Sequence, residues 1–152
     1  MVYEKLDSNT LYHSFVSGAH EIMRRREEMN RINVFPVADG DTGTNLAITL
    51  DSVVHNSGIR ESAGDTLQSM SEAALAGARG NSGVIFAEFI GGLAETLISV
   101  EAVTVKAFSR ALNNAVGKAY KALQNPVEGT ILTLIKEWAK SIEAQTQVPN
   151  FT

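Results

Sequence analysis

The chain has 152 residues, of which 44% are hydrophobic and 20% are charged, and its formal net charge is −4. These values are typical of one globular domain with a real hydrophobic core. The only basic run, Arg24 to Arg26, is followed at once by two glutamates. We therefore expect a solvated helix face there, and no nucleic-acid binding, which would need a basic stripe. The chain has no cysteine, which excludes disulfides, thiolate metal sites and cysteine nucleophiles.

No apolar run approaches the roughly 20 residues that are needed to span a bilayer. The longest candidate, residues 83–100, is interrupted by Glu88, by the pair Gly91 and Gly92, and by Glu95. The first ten residues are polar and carry acidic side chains, unlike a signal peptide. We therefore expect no membrane span and a cytoplasmic location.

Apolar residues recur at helical spacing along almost the whole chain. The first predicted helix covers residues 9–29, and a weak capping box formed by Ser62 and Asp65 precedes the third. The apolar faces of the six helices start at Leu11, Leu46, Leu67, Val84, Val105 and Ile131. No stretch alternates apolar and polar residues with a period of two, so strands are not expected. The predicted fold class is all-α, a helical bundle of about six helices in a single domain.

Glycines cluster at two junctions, each directly before an apolar helix. The first junction contains Gly40 and Gly43, and the second contains Gly77, Gly80 and Gly83. A helix N-terminus offers unpaired N–H groups and the positive end of its dipole, and glycine lets an anion approach the backbone closely. Two such junctions in one small bundle predict a phosphate-bearing ligand.

The first junction carries two carboxylates, Asp39 and Asp41, separated by one glycine in backbone that is not predicted to be helical. Without a cation such a pair would repel, and one member would be pushed to protonate. Oxygen ligands suit Mg²⁺, which keeps waters and shares phosphate oxygens. Thr42 and Thr44 add hydroxyl groups, and Asn45 adds an amide. The structural alternative is a turn with a helix cap, which the same residue types favour.

Other common cation and nucleotide motifs do not fit this segment. Counted from Asp39 as the first position of a calcium EF-hand, the fifth position is Gly43 and the twelfth is Leu50, where an EF-hand has an acidic or amide residue and a glutamate. The chain also has neither a Walker A pattern nor a Gly-x-Gly-x-x-Gly pattern. A nucleotide site here would belong to neither common class.

The second and third candidate segments each have a structural explanation, which for the third is sufficient by itself. Asn81 and Ser82 are favoured N-caps, and the functional alternative places Ser82 and nearby N–H groups on phosphate, with Arg79 supplying charge. In the third segment, Pro126 fits the first turn of a helix, and Glu128 is favourably placed against the helix dipole.

Taken together, three segments resemble a known family: residues 33–45 (NVFPVADGDTGTN), 77–83 (GARGNSG) and 126–130 (PVEGT). They resemble the N-terminal kinase domain of the bacterial fatty acid kinase A subunit, which is related to the Dak2-like nucleotide-binding domain of dihydroxyacetone kinases. The likeness covers residues from about 9 to 144. The resemblance implies a barrel of antiparallel helices that binds ATP or ADP at one end, with residues 1–152 as a single domain.

The resemblance also implies roles for individual residues. In that family, aspartates of the first segment hold two Mg²⁺ ions that bridge the nucleotide phosphates, and this carries over to Asp39 and Asp41. The dihydroxyacetone kinase relatives have a third aspartate slightly upstream, whose nearest counterpart here is Asn33, a neutral and weaker ligand. The residues implied to contact phosphates or to line the nucleotide site are Thr42, Gly43, Thr44, Asn45, Asn81, Ser82, Gly83 and Thr130.

The implied activity is a phosphoryl transfer, in which positioning and charge neutralisation do most of the work. A fatty acid carried by a separate lipid-binding protein would receive the γ-phosphate of ATP, giving an acyl phosphate. No segment of the sequence identifies a fatty-acid pocket, which agrees with a substrate delivered by a partner. Two departures from the family are mild: Ala38 replaces a common proline, and Leu46 replaces a usual methionine.

The chain stops before the glycine-rich segment that closes the nucleotide site in these relatives. We therefore expect a domain that lacks the last helices of the barrel and has weakened or absent turnover alone. Two other functions stay open: a kinase subunit for dihydroxyacetone or another small polyol, and a regulatory module that senses nucleotide without catalysis. A purely structural bundle would leave the two glycine junctions without a cause. The oligomeric state is open as well, a homodimer included.

Overall fold

The computed structural model describes residues 5–146. They form the helices α1 Ser8–Arg24, α2 Arg26–Ile32, α3 Thr42–Asn56, α4 Ala63–Gly77, α5 Gly80–Thr96, α6 Val105–Lys121 and α7 Ile131–Ala144. Two short strands, β1 Lys5–Leu6 and β2 Val103–Thr104, pair antiparallel. The predicted all-α helical bundle is confirmed. The first four and last six residues, which belong to the predicted polar N-terminus and to the C-terminal end of the predicted domain, lie outside the described part.

The described chain has seven helices rather than about six, because the helix predicted over residues 9–29 is divided. Arg25 leaves helical geometry, with a ψ angle of 14°, and separates α1 from α2. The break accompanies close packing of α2 on the start of α3: a Cβ atom at Gly43 would lie closer than 3.0 Å to the carbonyl oxygen of Arg26. Apolar spacing did not reveal this break because the spacing continues across it.

The expectation of no strands was wrong for two very short segments. Leu6 pairs with Val103, and Lys5 pairs with Thr104. The pairing ties the residues before α1 to the connection between α5 and α6. A strand of two residues is too short to show the alternation from which strands are predicted.

The helix starts follow the capping residues only in part. Ser62 accepts a hydrogen bond from the Asp65 N–H at 3.0 Å, which confirms the N-cap half of the predicted capping box, whereas the Asp65 carboxylate accepts from the Ser62 hydroxyl at 2.7 Å. The prediction that Pro126 lies in a helix first turn was wrong, because α7 begins at Ile131 with Thr130 as its N-cap. The Thr130 hydroxyl satisfies a backbone donor there, and Pro126 has no such side chain to offer.

Consecutive helices from α3 to α6 run antiparallel and pack closely. Ser52 Oγ donates to the Ala73 carbonyl at 2.8 Å, which joins α3 to α4. Gly92 lets α5 approach α6, since a Cβ atom there would lie closer than 3.0 Å to the Ala115 Cα. The fully buried side chains at the centre include Leu50, Val53, Met70, Ile90, Leu97, Leu112 and Leu132. Burial of each such side chain stabilises the fold by about 1.5–3 kcal/mol.

An apolar cavity of about 430 Å³, partly open to solvent, lies between the helices of the bundle. Its lining includes Phe15, Met70, Phe86, Phe89 and Trp138. Helical spacing does not indicate this cavity, because it assigns most of the residues that line the cavity to the core. Among residues 5–146, no helix is long and apolar enough to cross a membrane.

Candidate functional site

The first two candidate segments meet where α3 and α5 begin. Ser82 Oγ donates to the Thr42 carbonyl at 3.3 Å, so the first turn of α5 contacts the first turn of α3. Asn45 lies against Gly80, where a Cβ atom would be closer than 3.0 Å to the Asn45 amide nitrogen. The positive φ of Gly80, 57°, turns the chain into α5 at this contact. Two helix N-termini are therefore placed side by side, as expected for an anion site.

The third segment lies against the first through an aromatic ring. A Cβ atom on Gly129 would be 3.5 Å from Cε1 of Phe35, so the edge of the ring sits over the backbone of this glycine. Gly129 has a φ of 82°, which a residue with a side chain rarely adopts. The structure thus gathers all three segments at one end of the bundle.

The two carboxylates predicted to bind magnesium are exposed and have no counter-charge. Neither Asp39 nor Asp41 has a hydrogen bond or an ion pair through its side chain to any residue between 5 and 146. Asp41 occupies the N-cap position of α3, yet its carboxylate makes no capping hydrogen bond. The capping alternative therefore does not account for these acidic side chains.

Asp39 and Asp41 are not joined by a third metal-binding side chain within the described residues. In the described part of the chain, no group of three or more His, Cys, Asp or Glu side chains is arranged to hold a metal ion. Two carboxylates fit the pattern by which Mg²⁺ binds, because this ion usually takes one or two carboxylates and fills its remaining positions with water and substrate phosphates.

Asn33 holds the loop that carries the carboxylates. Its Oδ1 accepts hydrogen bonds from the N–H groups of Asp41 at 3.2 Å and Thr42 at 3.1 Å, and its Nδ2 donates to the Val37 carbonyl at 3.4 Å. An amide oxygen has two lone pairs, and both are used here. The structure shows this loop-holding role; metal ligation by Asn33 stays a prediction, and it would require these bonds to break.

Asn30 is a second structural residue of the site, and the sequence reasoning missed it. Its Oδ1 accepts from the Thr44 N–H at 3.0 Å, and its Nδ2 donates to Thr44 Oγ1 at 2.9 Å. It caps the first turn of α3 from outside the helix. The signal in the sequence was two asparagines three residues apart, Asn30 and Asn33, on one face at the end of α2 and just before the acidic loop.

The glycines predicted to face phosphate are used here for close packing. Gly43 is buried against α2, where a Cβ atom would clash with the Arg26 carbonyl and the Asn30 side chain. Gly83 is buried as well, and a Cβ atom there would lie closer than 3.0 Å to the Thr49 hydroxyl. Their contact with phosphate stays a prediction.

The start of α5 differs from the sequence prediction. Asn81 and Ser82 are not N-caps: they lie in the first turn, and Arg79 is the N-cap residue. The reason is that the backbone N–H of Arg79 donates to Thr49 Oγ1 of α3 at 3.2 Å, which anchors the chain two residues before Asn81. Asn81 is exposed and Ser82 is buried. Within the described residues, the exposed Arg79 guanidinium has no carboxylate partner.

Thr130, predicted to line the nucleotide site, has a capping role. Its hydroxyl donates to the Val127 carbonyl at 2.7 Å and accepts from the Leu132 N–H at 3.3 Å, as the N-cap of α7. This bonding shapes the turn that places Gly129 under Phe35. A contact between Thr130 and a nucleotide stays a prediction.

A hydrogen-bonded cluster around Glu128 fixes the third segment. The carboxylate accepts from Tyr120 Oη at 2.7 Å, from Thr133 Oγ1 at 2.6 Å and from Lys136 Nζ at 2.7 Å. The hydrogen bond from Lys136, followed by those from Thr133 and Tyr120, lowers the pKa of Glu128 from 4.5 to about 2. The Glu128 carboxylate in turn raises the pKa of Lys136. The cluster links α6 to α7 next to Gly129.

A family model described as the DAK2 domain matches residues 36–151. The chain belongs to the DAK2 domain family. The match contains the second and third segments and most of the first. It supports the broader part of the resemblance, a dihydroxyacetone-kinase-like module of a nucleotide-binding, kinase-related family.

Longer bacterial proteins are similar to this DAK2 domain. Protein YloV of Bacillus subtilis is 37% identical over 147 residues, which are 92% of this chain and 26% of that protein. An uncharacterized protein of Staphylococcus saprophyticus is 36% identical over 138 residues, 89% of this chain and 25% of its own length. An uncharacterized protein of Staphylococcus aureus strain USA300 is 34% identical over 140 residues, which are 90% of this chain and 25% of that protein. The chain spans about a quarter of the length of these relatives.

Proposed function

We propose that this DAK2 domain binds ATP or ADP together with Mg²⁺ where α3 and α5 begin. We further propose that the γ-phosphate is transferred to a fatty acid presented by a lipid-binding partner protein, giving an acyl phosphate. The observation that carries the proposal is the contact between the two helix N-termini, Ser82 Oγ to the Thr42 carbonyl at 3.3 Å, beside two exposed carboxylates without a counter-charge.

The carboxylates and the helix starts have complementary parts in this proposal. Asp39 and Asp41 hold the magnesium ions, which neutralise the phosphates. The first turn of α5 faces the phosphate oxygens with its N–H groups, and the first turn of α3, whose Thr42 and Thr44 N–H groups are bonded to Asn33 and Asn30, contributes its dipole. Arg79, exposed and without a carboxylate partner among the described residues, adds a positive charge at the same junction. Phosphoryl transfer depends mainly on such positioning and charge neutralisation.

No residue of the three candidate segments lines the apolar cavity. Among its lining residues, Phe86 lies six positions after Gly80, and Leu50 lies eight positions after Thr42. At about 1.5 Å of rise per residue, these positions are about 9 and 12 Å along their helices from the starts of α5 and α3. An acyl chain inside the cavity would therefore hold its carboxylate away from the metal ligands, which supports delivery of the fatty acid by a partner.

Exposed apolar side chains beside the carboxylates also support a protein partner. Ile32 and Val34 are each 69% exposed, and Val37 is 63% exposed. Apolar patches of this kind mark interaction surfaces. A small polyol substrate, as in a dihydroxyacetone kinase, would not require them. The neutral Asn33 at the position of the third aspartate favours a different second candidate, a module that senses nucleotide without turnover.

A thermal shift experiment tests the metal–nucleotide site. At a concentration of Mg²⁺–ATP one hundred times the Kd, the wild-type domain should gain about 2.7 kcal/mol of stability. Asp39→Asn and Asp41→Asn should lose that gain, while their stability without ligand changes by less than about 0.5 kcal/mol. Asp51→Asn, an exposed acidic position farther along α3, is the matched control and should keep the gain.

Two results decide against the proposal. Absence of stabilisation in the wild type at millimolar Mg²⁺–ATP would remove the site altogether. Stabilisation that survives both substitutions would place the nucleotide elsewhere. Once binding is established, product analysis with a fatty-acid-loaded carrier protein, with dihydroxyacetone and with neither separates acyl phosphate formation from polyol phosphorylation and from binding without turnover.

A further inference from the structure

Phe35 is a large aromatic side chain that folding leaves mostly in water. Its exposed fraction is 56%, although complete burial of such a side chain would stabilise the fold substantially. Four other phenylalanines form a chain of ring contacts that includes Trp138: Phe15, Phe86, Phe89 and Phe108. Phe35 takes part in no ring pair within residues 5–146. The interior of the bundle therefore does not account for an aromatic residue at this position.

The ring of Phe35 lies where the first and third segments meet. Its edge is over Gly129, with Cε1 at 3.5 Å and Cδ1 at 3.8 Å from the position of a Cβ atom on that glycine. The Glu128 carboxylate accepts hydrogen bonds from Tyr120 and Lys136. These hydrogen bonds hold the backbone next to Gly129 in place. The ring thus rests on a fixed segment of backbone and is exposed elsewhere.

The same loop carries the metal ligands a short distance away. Phe35 precedes Asp39 by four residues, so their Cα atoms are separated by at most about 14 Å. Asn33 draws the loop together by bonding to the Val37 carbonyl and to the Asp41 N–H. This maximum Cα separation is comparable to the length of an extended nucleoside triphosphate, from its base to its terminal phosphate.

We propose that the ring of Phe35 stacks against the base of the bound nucleotide. The loop of residues 33–41 then binds both ends of the ligand, the phosphates through Asp39 and Asp41 and the base through Phe35. An aromatic ring suits this role because stacking on a base is favourable and does not depend on hydrogen bonds to the base edges. The inference rests on the proposed function, since it requires that a nucleotide binds at this end of the bundle.

The test compares a ligand that has a base with one that has none. Isothermal titration calorimetry measures binding of Mg²⁺–ATP and of Mg²⁺–tripolyphosphate to the wild type and to variants. Phe35→Ala and Phe35→Leu should weaken Mg²⁺–ATP binding about tenfold and leave tripolyphosphate binding unchanged. Phe35→Tyr should restore ATP binding because it keeps the ring. Val37→Ala, a similarly exposed apolar position on the same loop, is the control and should bind both ligands as the wild type does.

Each other outcome overturns the inference in a distinguishable way. Equal weakening of both ligands by Phe35→Ala would mean that the ring supports the loop rather than the base. If Phe35→Ala binds both ligands as the wild type does, the exposed ring has another role, such as docking of a partner protein. If Phe35→Leu binds ATP as tightly as the wild type does, the contact with the base is apolar packing and not stacking. If the wild type binds neither ligand, the proposed function fails and this inference fails with it.

Discussion

Replacement of Gly80 by alanine tests the junction between α3 and α5. Gly80 has a φ of 57°, and a residue with a Cβ atom pays roughly 1–2 kcal/mol in that region. The new Cβ would lie closer than 3.0 Å to the side-chain amide of Asn45. That amide can rotate away, at a cost of about 0.5–1.5 kcal/mol for an unfavourable rotamer. The combined loss is about 1.5–3.5 kcal/mol, which lowers the melting temperature of a domain of this size by roughly 3–14 °C.

The matched control applies the same change where nothing blocks it. Gly117 is exposed in α6, and a Cβ atom there would meet no other atom within 4 Å. Gly117→Ala should therefore stabilise the protein by about 0.5–1 kcal/mol, because glycine weakens the interior of a helix. Differential scanning calorimetry of both variants measures the difference. A Gly80→Ala protein that melts at or above the wild-type temperature would refute the close contact and the backbone conformation on which the site depends.

Three further changes give distinct results. Asn33→Ala removes the acceptor of two backbone N–H groups and should lower the free energy of unfolding by about 1–2 kcal/mol; an unchanged urea midpoint would contradict this role. Gly92→Ala forces a Cβ onto the Ala115 backbone and should cost about 1–3 kcal/mol, so a wild-type melting temperature would be inconsistent with the α5–α6 packing. Because hydrogen bonds hold the pKa of Glu128 at about 2, below its ordinary 4.5, its stabilising contribution is complete above pH 4.5 and fades as the pH falls toward 2. The difference in melting temperature between wild type and Glu128→Gln should therefore be constant from about pH 5 to 7 and shrink in more acidic buffer, and a difference independent of pH would count against it.

Helical spacing predicted the helices from α3 to α7 well, because each buries one continuous apolar face. It did not predict the break at Arg25, because the apolar spacing continues across that residue. Helical spacing could not predict the apolar cavity either, since the same residues would also pack in a filled core. Its existence depends on the packing of six helices rather than on any one of them.

The candidate segments were found from residue types and spacing, but their meeting at one end of the bundle required the structure. The actual caps of α3 are Asn30 and Asn33, which lie eight or more residues before the N–H groups that they bind. Local capping rules consider residues within the same turn, so they could not identify these two asparagines. Similarly, Gly43 and Gly83 were interpreted as openings for an anion, whereas the structure uses them for close packing between elements.

Nuclear magnetic resonance mapping tests most directly whether this end of the bundle binds a magnesium nucleotide. The ¹⁵N-labelled chain would be titrated with Mg²⁺ and a non-hydrolysable ATP analogue while backbone amide shifts are recorded. The largest shifts should fall in residues 33–45, 77–83 and 126–130. Shifts concentrated around β1 and β2 at the other end, or no shifts at millimolar nucleotide, would contradict this expectation.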